Sequence, residues 1–278
     1  MMNISQHIVA AENRFRLLLE DYFRTVWGKT ILVSHGIEHH RRVWHFATEL
    51  LRESQEVCSN SAGSFAEKLI IACYLHDLGM SVDTGIRHGK ISRQMCKKFL
   101  EANLLDESEY AELLDAVENH DNKDYDGQTR RLDLSTLLTV ADDLDAFGHF
   151  GIYRYLEIYR KRGVPKSKIP DMVMINATKR LQNFNSVYKE SREVAERHNE
   201  RYKILENFFK QLRWTDDVNP GGKHEISGNV RISEYLIYIM SRNIVPENIC
   251  QTNILPVDDK ELHCFFNALS NEALEFKC

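Results

Sequence analysis

Residues 69–79 read LIIACYLHDLG. Leu69 to Leu75 form an apolar run far short of the ~20 residues that a bilayer span needs, so the run predicts a buried helix of a globular core. His76 and Asp77 interrupt it just before Gly79, the predicted C-terminal stop of a helix over 64–78. Two adjacent polar side chains at the end of so apolar a helix require partners, because burying either alone is costly.

Outward from this stretch, apolar spacings of three and four recur in blocks, whereas sustained apolar/polar alternation is absent, which predicts an all-α fold. Helices are expected over 5–26, 37–56, 64–78, 88–103, 107–120, 133–147 and 149–162. No proline precedes Pro165, which permits long helices in the first half. Asp106 with Glu109 has the form of a capping box, and Gly148 is placed to close the sixth helix. GVPKSKIP (163–170) marks the main break between residues 1–163 and 164–278. Beyond it, Met172 to Tyr188 carry helical spacing into KESREVAERHNERYK (189–203), predicting one long, partly exposed helix. NPGGK (219–223) reads as a turn, and RISEYLIYIM (231–240) and ELHCFFNALSNEALEF (261–276) predict two further helices.

With 43% hydrophobic and 28% charged residues, the 278-residue chain is neither disordered nor fibrous. Its six scattered cysteines include no C-x-x-C pair, which argues against a zinc knuckle or dithiol redox site and reads as reduced thiols. A net charge of -5 and a pI near 6.2 provide no basic field, so nucleic acid is not an expected partner. The local exception, KRGVPKSK (161–168), can hold a phosphate, although most such runs are simply solvated. No basic-then-apolar leader and no membrane-length run are present, so a cytoplasmic protein without membrane contact is expected.

Seven of the 12 histidines fall between positions 35 and 120, where even spreading would place about four. EHHRRVW (38–44) contains His39, Arg42 and Val43 as H-x-x-R-V, with His35 and His40 competing for the same role. VADDLDAFG (140–148) puts an acidic cluster inside another apolar helix. Between doublet and cluster lie His88 in RHGKIS and His120 in VENHDN. Helices carrying His39, His76–Asp77 and an acid of the 142–145 cluster can therefore converge.

This order of a first His, a His-Asp doublet and a distant Asp resembles the HD-domain metal-dependent phosphohydrolase superfamily, and within it a bacterial subgroup of largely unassigned function. The resemblance spans roughly residues 35–155. It implies an HD-domain helical bundle over 1–163, with 164–278 a helical C-terminal extension packing on or capping it. Carried over residue by residue, it implies His39, His76, Asp77 and Asp142 as core metal ligands and, by analogy with two-metal members, His88 and His120 as further ligands. Asp142 fits the last ligand position better than Asp143 or Asp145. Asp143 is expected to face solvent, and Asp145 to hydrogen-bond a ligand histidine from behind.

Mixed nitrogen and oxygen ligation favours one or two divalent ions of Mn, Fe, Co, Ni or Zn, with Mg admitted. The implied activity is hydrolysis of a small phosphate ester or nucleotide, a phosphomonoesterase rather than a phosphodiesterase. Asp77 is expected to bridge two ions, and Lys90 and Arg42 to reach phosphate oxygens. The competing readings are a solvated cation for Lys90 and a structural salt bridge for Arg42. Asp121, Lys123 and Asp124, with Gly127, shape a pocket mouth or form a plain exposed turn. No G-Y-P follows His120, and no Glu-Asp pair follows HDLGMSVD, which disfavours cyclic-di-GMP and guanosine tetraphosphate hydrolases. Two other readings stay open: a diiron oxygenase on the same ligands, and a non-catalytic binding protein whose 171–278 helices associate, a homodimer included.

Overall fold

The computed structural model describes residues 2–54, 62–122, 133–214, 227–252, 254–256 and 258–276. Among these residues the chain is all-α, without strands, as expected. The helices are α1 (Ile4–Trp27), α2 (Ile37–Glu53), α3 (Ala62–Leu75), α4 (His88–Ala102), α5 (Ala111–Asn119), α6 (Leu134–Asp145), α7 (Gly148–Lys161), α8 (Ile169–Tyr188), α9 (Arg192–Gln211), α10 (Gly228–Ser241) and α11 (Lys260–Leu274). No helix among the described residues is long and apolar enough to cross a membrane. The turn at 219–223 and residues Lys123, Asp124 and Gly127 lie outside the described residues.

The chain divides into two compact units. The first comprises Met1–Thr30, His35–Asp145 and Gln182–Ala195; the second comprises Ile31–Ser34, Ala146–Leu181 and Glu196–Cys278. In the first unit, α3 packs against α1, α2, α5 and α6, and α2 also packs on α6. Its apolar run, Leu69 to Leu75, is wholly buried. α1 begins with a reciprocal cap, in which Asn3 Oδ1 accepts from the Gln6 backbone (3.0 Å) and Gln6 Oε1 accepts from the Asn3 backbone (2.9 Å). Glu20 on α1 gathers Arg16 (3.3 Å), Arg24 (3.1 Å) and, from α2, Arg41 (2.6 Å), joining the two helices.

The second unit packs α7 against α10 and α11. Gly148 opens α7 with φ +69°, a left-handed conformation suited to glycine. Here Glu272 of α11 accepts hydrogen bonds from the His149 backbone and from Arg201.

Three local expectations need correction. α3 stops at Leu75, and Gly79 is not its cap but lies in a 3-10 turn, Leu78–Ser81, that touches α4. A Cβ at Gly79 would collide with the His88 carbonyl, so the glycine is required by close approach. Gly148 does not close α6, which ends at Asp145, but starts α7. The single long helix expected across 171–203 is two, α8 and α9, divided at residues 189–191. Ser191, just before the first residue of α9, is the kind of N-cap residue that starts a new helix even where apolar spacing runs on.

Candidate metal centre

Five elements of the first unit deliver the clustered histidines and aspartates. On α2, His39 shares one buried stripe with Val43, Phe46 and Leu50, so the period that buries the helix also buries His39. His76 and Asp77 follow α3 directly, with His76 N–H still donating to the Ala72 carbonyl (2.9 Å), so the end of the apolar helix sets their positions. α6 is buried nearly all round, and Asp142 and Asp145, three residues apart, share a face. α4 and α5 deliver His88 and His120, and close packing is secured by Gly89, whose Cβ would meet the Glu118 carbonyl.

The donor atoms fall into two sets that share Asp77. His39, His76, Asp77 and Asp142 form one, and Asp77, His88 and His120 the other, with every member buried. In the first, His39 Nε2 and His76 Nε2 are 3.2 Å apart, at 3.5 and 3.6 Å from Asp77 Oδ2 and 3.8 and 3.9 Å from Asp142 Oδ1. In the second, Asp77 Oδ1 is 2.9 Å from His120 Nε2 and 3.4 Å from His88 Nε2. Around one ion with ligands at about 2.0–2.2 Å, neighbouring donors stand roughly 3.0–3.5 Å apart. The spacings among His39, His76 and Asp77, and those from Asp77 Oδ1 to His88 and His120, are close to that size, while Asp142 stands wider at 3.8–3.9 Å.

Tautomers decide what the sets can hold. His76 Nδ1 faces the Cys73 carbonyl (3.0 Å), His88 Nδ1 the Gly85 carbonyl (2.5 Å) and His120 Nδ1 the Val117 carbonyl (2.8 Å). A carbonyl only accepts, so each Nδ1 is the donor. His39 Nδ1 likewise donates to Asp145 Oδ2 at 2.7 Å. In the neutral rings every Nε2 is then a lone pair aimed at other acceptors. His88 Nε2, fully buried, has no hydrogen-bond partner among the described residues. Acceptors facing acceptors require a proton or a metal ion between them, and histidines held from behind at Nδ1 are the usual form of a metal ligand.

The ionisation pattern agrees. Burial opposes the charge on Asp77, but His76, His120 and His39 outweigh it and hold the carboxyl well below the usual carboxylate range. Burial pushes His76 down, toward the neutral form that ligates. Burial would also lower His120, but Asp77 beside it reverses the sign and raises it, so a proton and a metal ion are competitors at that nitrogen.

Residues 36–147 match a family model described as the HD domain. The chain carries an HD domain. No curated protein and no solved structure matches the chain. The match contains the whole donor cluster, and over these residues the HD domain suggests a superfamily of metal-dependent hydrolases.

Within the HD domain, the cluster gathers His39, His76, Asp77, His88, His120 and Asp142 but not the two cations expected beside them. Arg42 is buried and its Nε and Nη2 bind Asp145 at 2.6 and 3.2 Å, so its guanidinium steadies the carboxylate behind His39. Lys90 is exposed on α4, about 200° around the helix from His88 at 100° per residue. Asp143 does not face solvent; it is fully buried and accepts from Asn183 Nδ2 at 3.2 Å. Of the competing histidines, His40 turns Nδ1 to the Cys73 carbonyl (3.1 Å), while His35 Nε2 lies 3.8 Å from Asp77 Oδ2, outside both sets. The backbone carbonyls that fix the tautomers carry no sequence signal.

Proposed function

We propose that the HD domain of this chain is a metal-dependent phosphohydrolase acting on a small phosphate ester or nucleotide, with monoesters favoured over diesters. The observation that carries this reading is Asp77, whose Oδ2 faces His39 and His76 while its Oδ1 faces His120 and His88. One carboxylate can thus join two ion sites. Mixed imidazole and carboxylate donors suit Mn, Fe, Co, Ni or Zn. Such ions supply Lewis-acid polarisation of a phosphoryl oxygen and bring the pKa of a water toward neutrality.

The chain's residues supply position and charge. Arg42 and Asp145 lock the His39 ring, and backbone carbonyls lock His76, His88 and His120, so the nitrogens pay no reorganisation cost when a site fills. Two divalent ions against the carboxylates of Asp77 and Asp142 leave a net positive centre that attracts a phosphoryl group.

The test is phosphate release from nucleoside monophosphates, sugar phosphates and an aryl phosphate, with Mn or Co, by wild type and Asp77→Ala. Release by the wild type, abolished in the variant, is expected. Failure of the metal-loaded wild type on every mono- and diester would sink the reading, and iron-dependent oxygen uptake would then favour the oxygenase alternative.

A further inference from the structure

The second donor set has three members where the first has four, and the residue after His120 stands beside the gap. Asp121 Oδ2 lies 3.8 Å from His88 Nε2. Its side chain is 39% exposed, whereas that of His88 is 2% exposed. His88 Nδ1 donates to the Gly85 carbonyl, which leaves Nε2 as an acceptor between two carboxylates, Asp77 Oδ1 at 3.4 Å and Asp121 Oδ2 at 3.8 Å. No hydrogen bond from the described residues satisfies that nitrogen. A fully buried lone pair facing two carboxylates calls for a cation, and Asp121, which lies outside the mutually close donors of that set, joins them by a swing of its side chain.

We propose that Asp121 is the fourth ligand of the second ion, an inference that rests on the metal-dependent reading above. Each ion then has two imidazole nitrogens and two carboxylates: His39, His76, Asp77 and Asp142 for the first; His88, His120, Asp77 and Asp121 for the second. The donors differ in freedom rather than in kind. Asp142 is buried on α6, whereas Asp121 sits just past the end of α5 on a half-exposed side chain with rotational room that the buried donors lack. Its carboxylate closes onto an ion and opens to water, so the second ion is the weaker and the exchangeable one. The third carboxylate also lowers the centre's net charge from two positive to one. That lets a phosphorylated product leave more readily than a doubly charged centre would.

The experiment is a Co(II) titration of chelator-stripped full-length protein, followed by calorimetry and by visible absorption, with wild type, Asp121→Ala, Asp121→Asn and Asp142→Ala. Wild type is expected to take two ions in two steps of unequal affinity. Asp121→Ala and Asp121→Asn should weaken the second step by roughly 10- to 100-fold or more, the range for loss of a group that shapes a metal site, and leave the first unchanged. The ligand-field bands that grow in the second step should change in the Asp121 variants, and those of the first step should not. Asp142→Ala should instead remove the tight step. Asp121 is exposed enough that neither substitution disturbs the core. A second step of wild-type affinity and spectrum in both Asp121 variants would overturn the proposal, as would a wild type that binds one ion only. A wild type that binds no ion would overturn the metal-dependent reading itself.

Discussion

Among the described residues, each compact unit holds a buried cluster of histidine and acid, and the hydrogen bonds of the two run in opposite senses. In the second unit, Glu272 Oε1 accepts from Arg201 Nε (3.2 Å) and Nη2 (3.0 Å), and Oε2 accepts from the His149 backbone N–H (2.8 Å) and lies 3.0 Å from His149 Nδ1. Donors meet acceptors throughout, and the protein's own groups suffice. In the HD domain, His39 Nε2 faces His76 Nε2 at 3.2 Å, and His88 Nε2 meets no donor among the described residues. Residue types alone do not separate these cases. The separation comes from Nδ1: once it is tied to a carboxylate or carbonyl, the remaining nitrogen has only a lone pair to offer.

If the comparison is sound, the two clusters fail differently. Arg201→Leu strands a buried carboxylate, which costs about 3–5 kcal/mol when one partner of a buried pair is removed. Urea unfolding should record that loss, while elemental analysis finds the wild-type metal content. A fall in bound metal would break the comparison, because it would make the second-unit cluster part of metal binding. The corresponding change in the HD domain is Asp145→Asn, which keeps an acceptor for His39 and Arg42 but drops the charge behind the ring. Metal affinity should fall roughly 10- to 100-fold, as for other outer partners of a ligating histidine. Unchanged affinity in the folded variant would show that the ring is held without Asp145.

The sequence made the helices and the donor order legible because both depend on spacing. His39 falls on the buried stripe of α2, and the break after the Leu69–Leu75 run places His76 and Asp77 where an ion could lie. Asp145 behind His39 was legible too, since α6 puts it one turn from Asp142. What depends on tertiary packing was not. Asp143 looks like a solvent residue until Asn183 of α8 is found against it. For Arg42 the sequence offers both a phosphate contact and a structural salt bridge, and only packing shows its guanidinium on Asp145. The roles of Gly79 and Gly89 come from neighbouring carbonyls distant in sequence, and so do not show as local turn signals.

The smallest expected effect concerns acid. Burial alone would raise the Glu272 carboxyl, but Arg201 and His149 outweigh it and hold the group below its ordinary 4.5. A folded value depressed below the unfolded one contributes stability that is fully present above pH 4.5 and is lost as pH falls through the folded value. Glu272→Gln cannot titrate, so it lacks this contribution at every pH. The stability gap between wild type and Glu272→Gln in urea should therefore be constant from neutrality down to about pH 5 and then narrow on further acidification. The HD cluster offers the contrast, because on the proposed metal-dependent reading protons and an ion compete for its imidazoles, and acid should release metal. A gap that stays constant through the acid range would mean that Arg201 and His149 do not hold Glu272 as an anion. The second-unit cluster would then lose its claim to be the self-sufficient member of the pair.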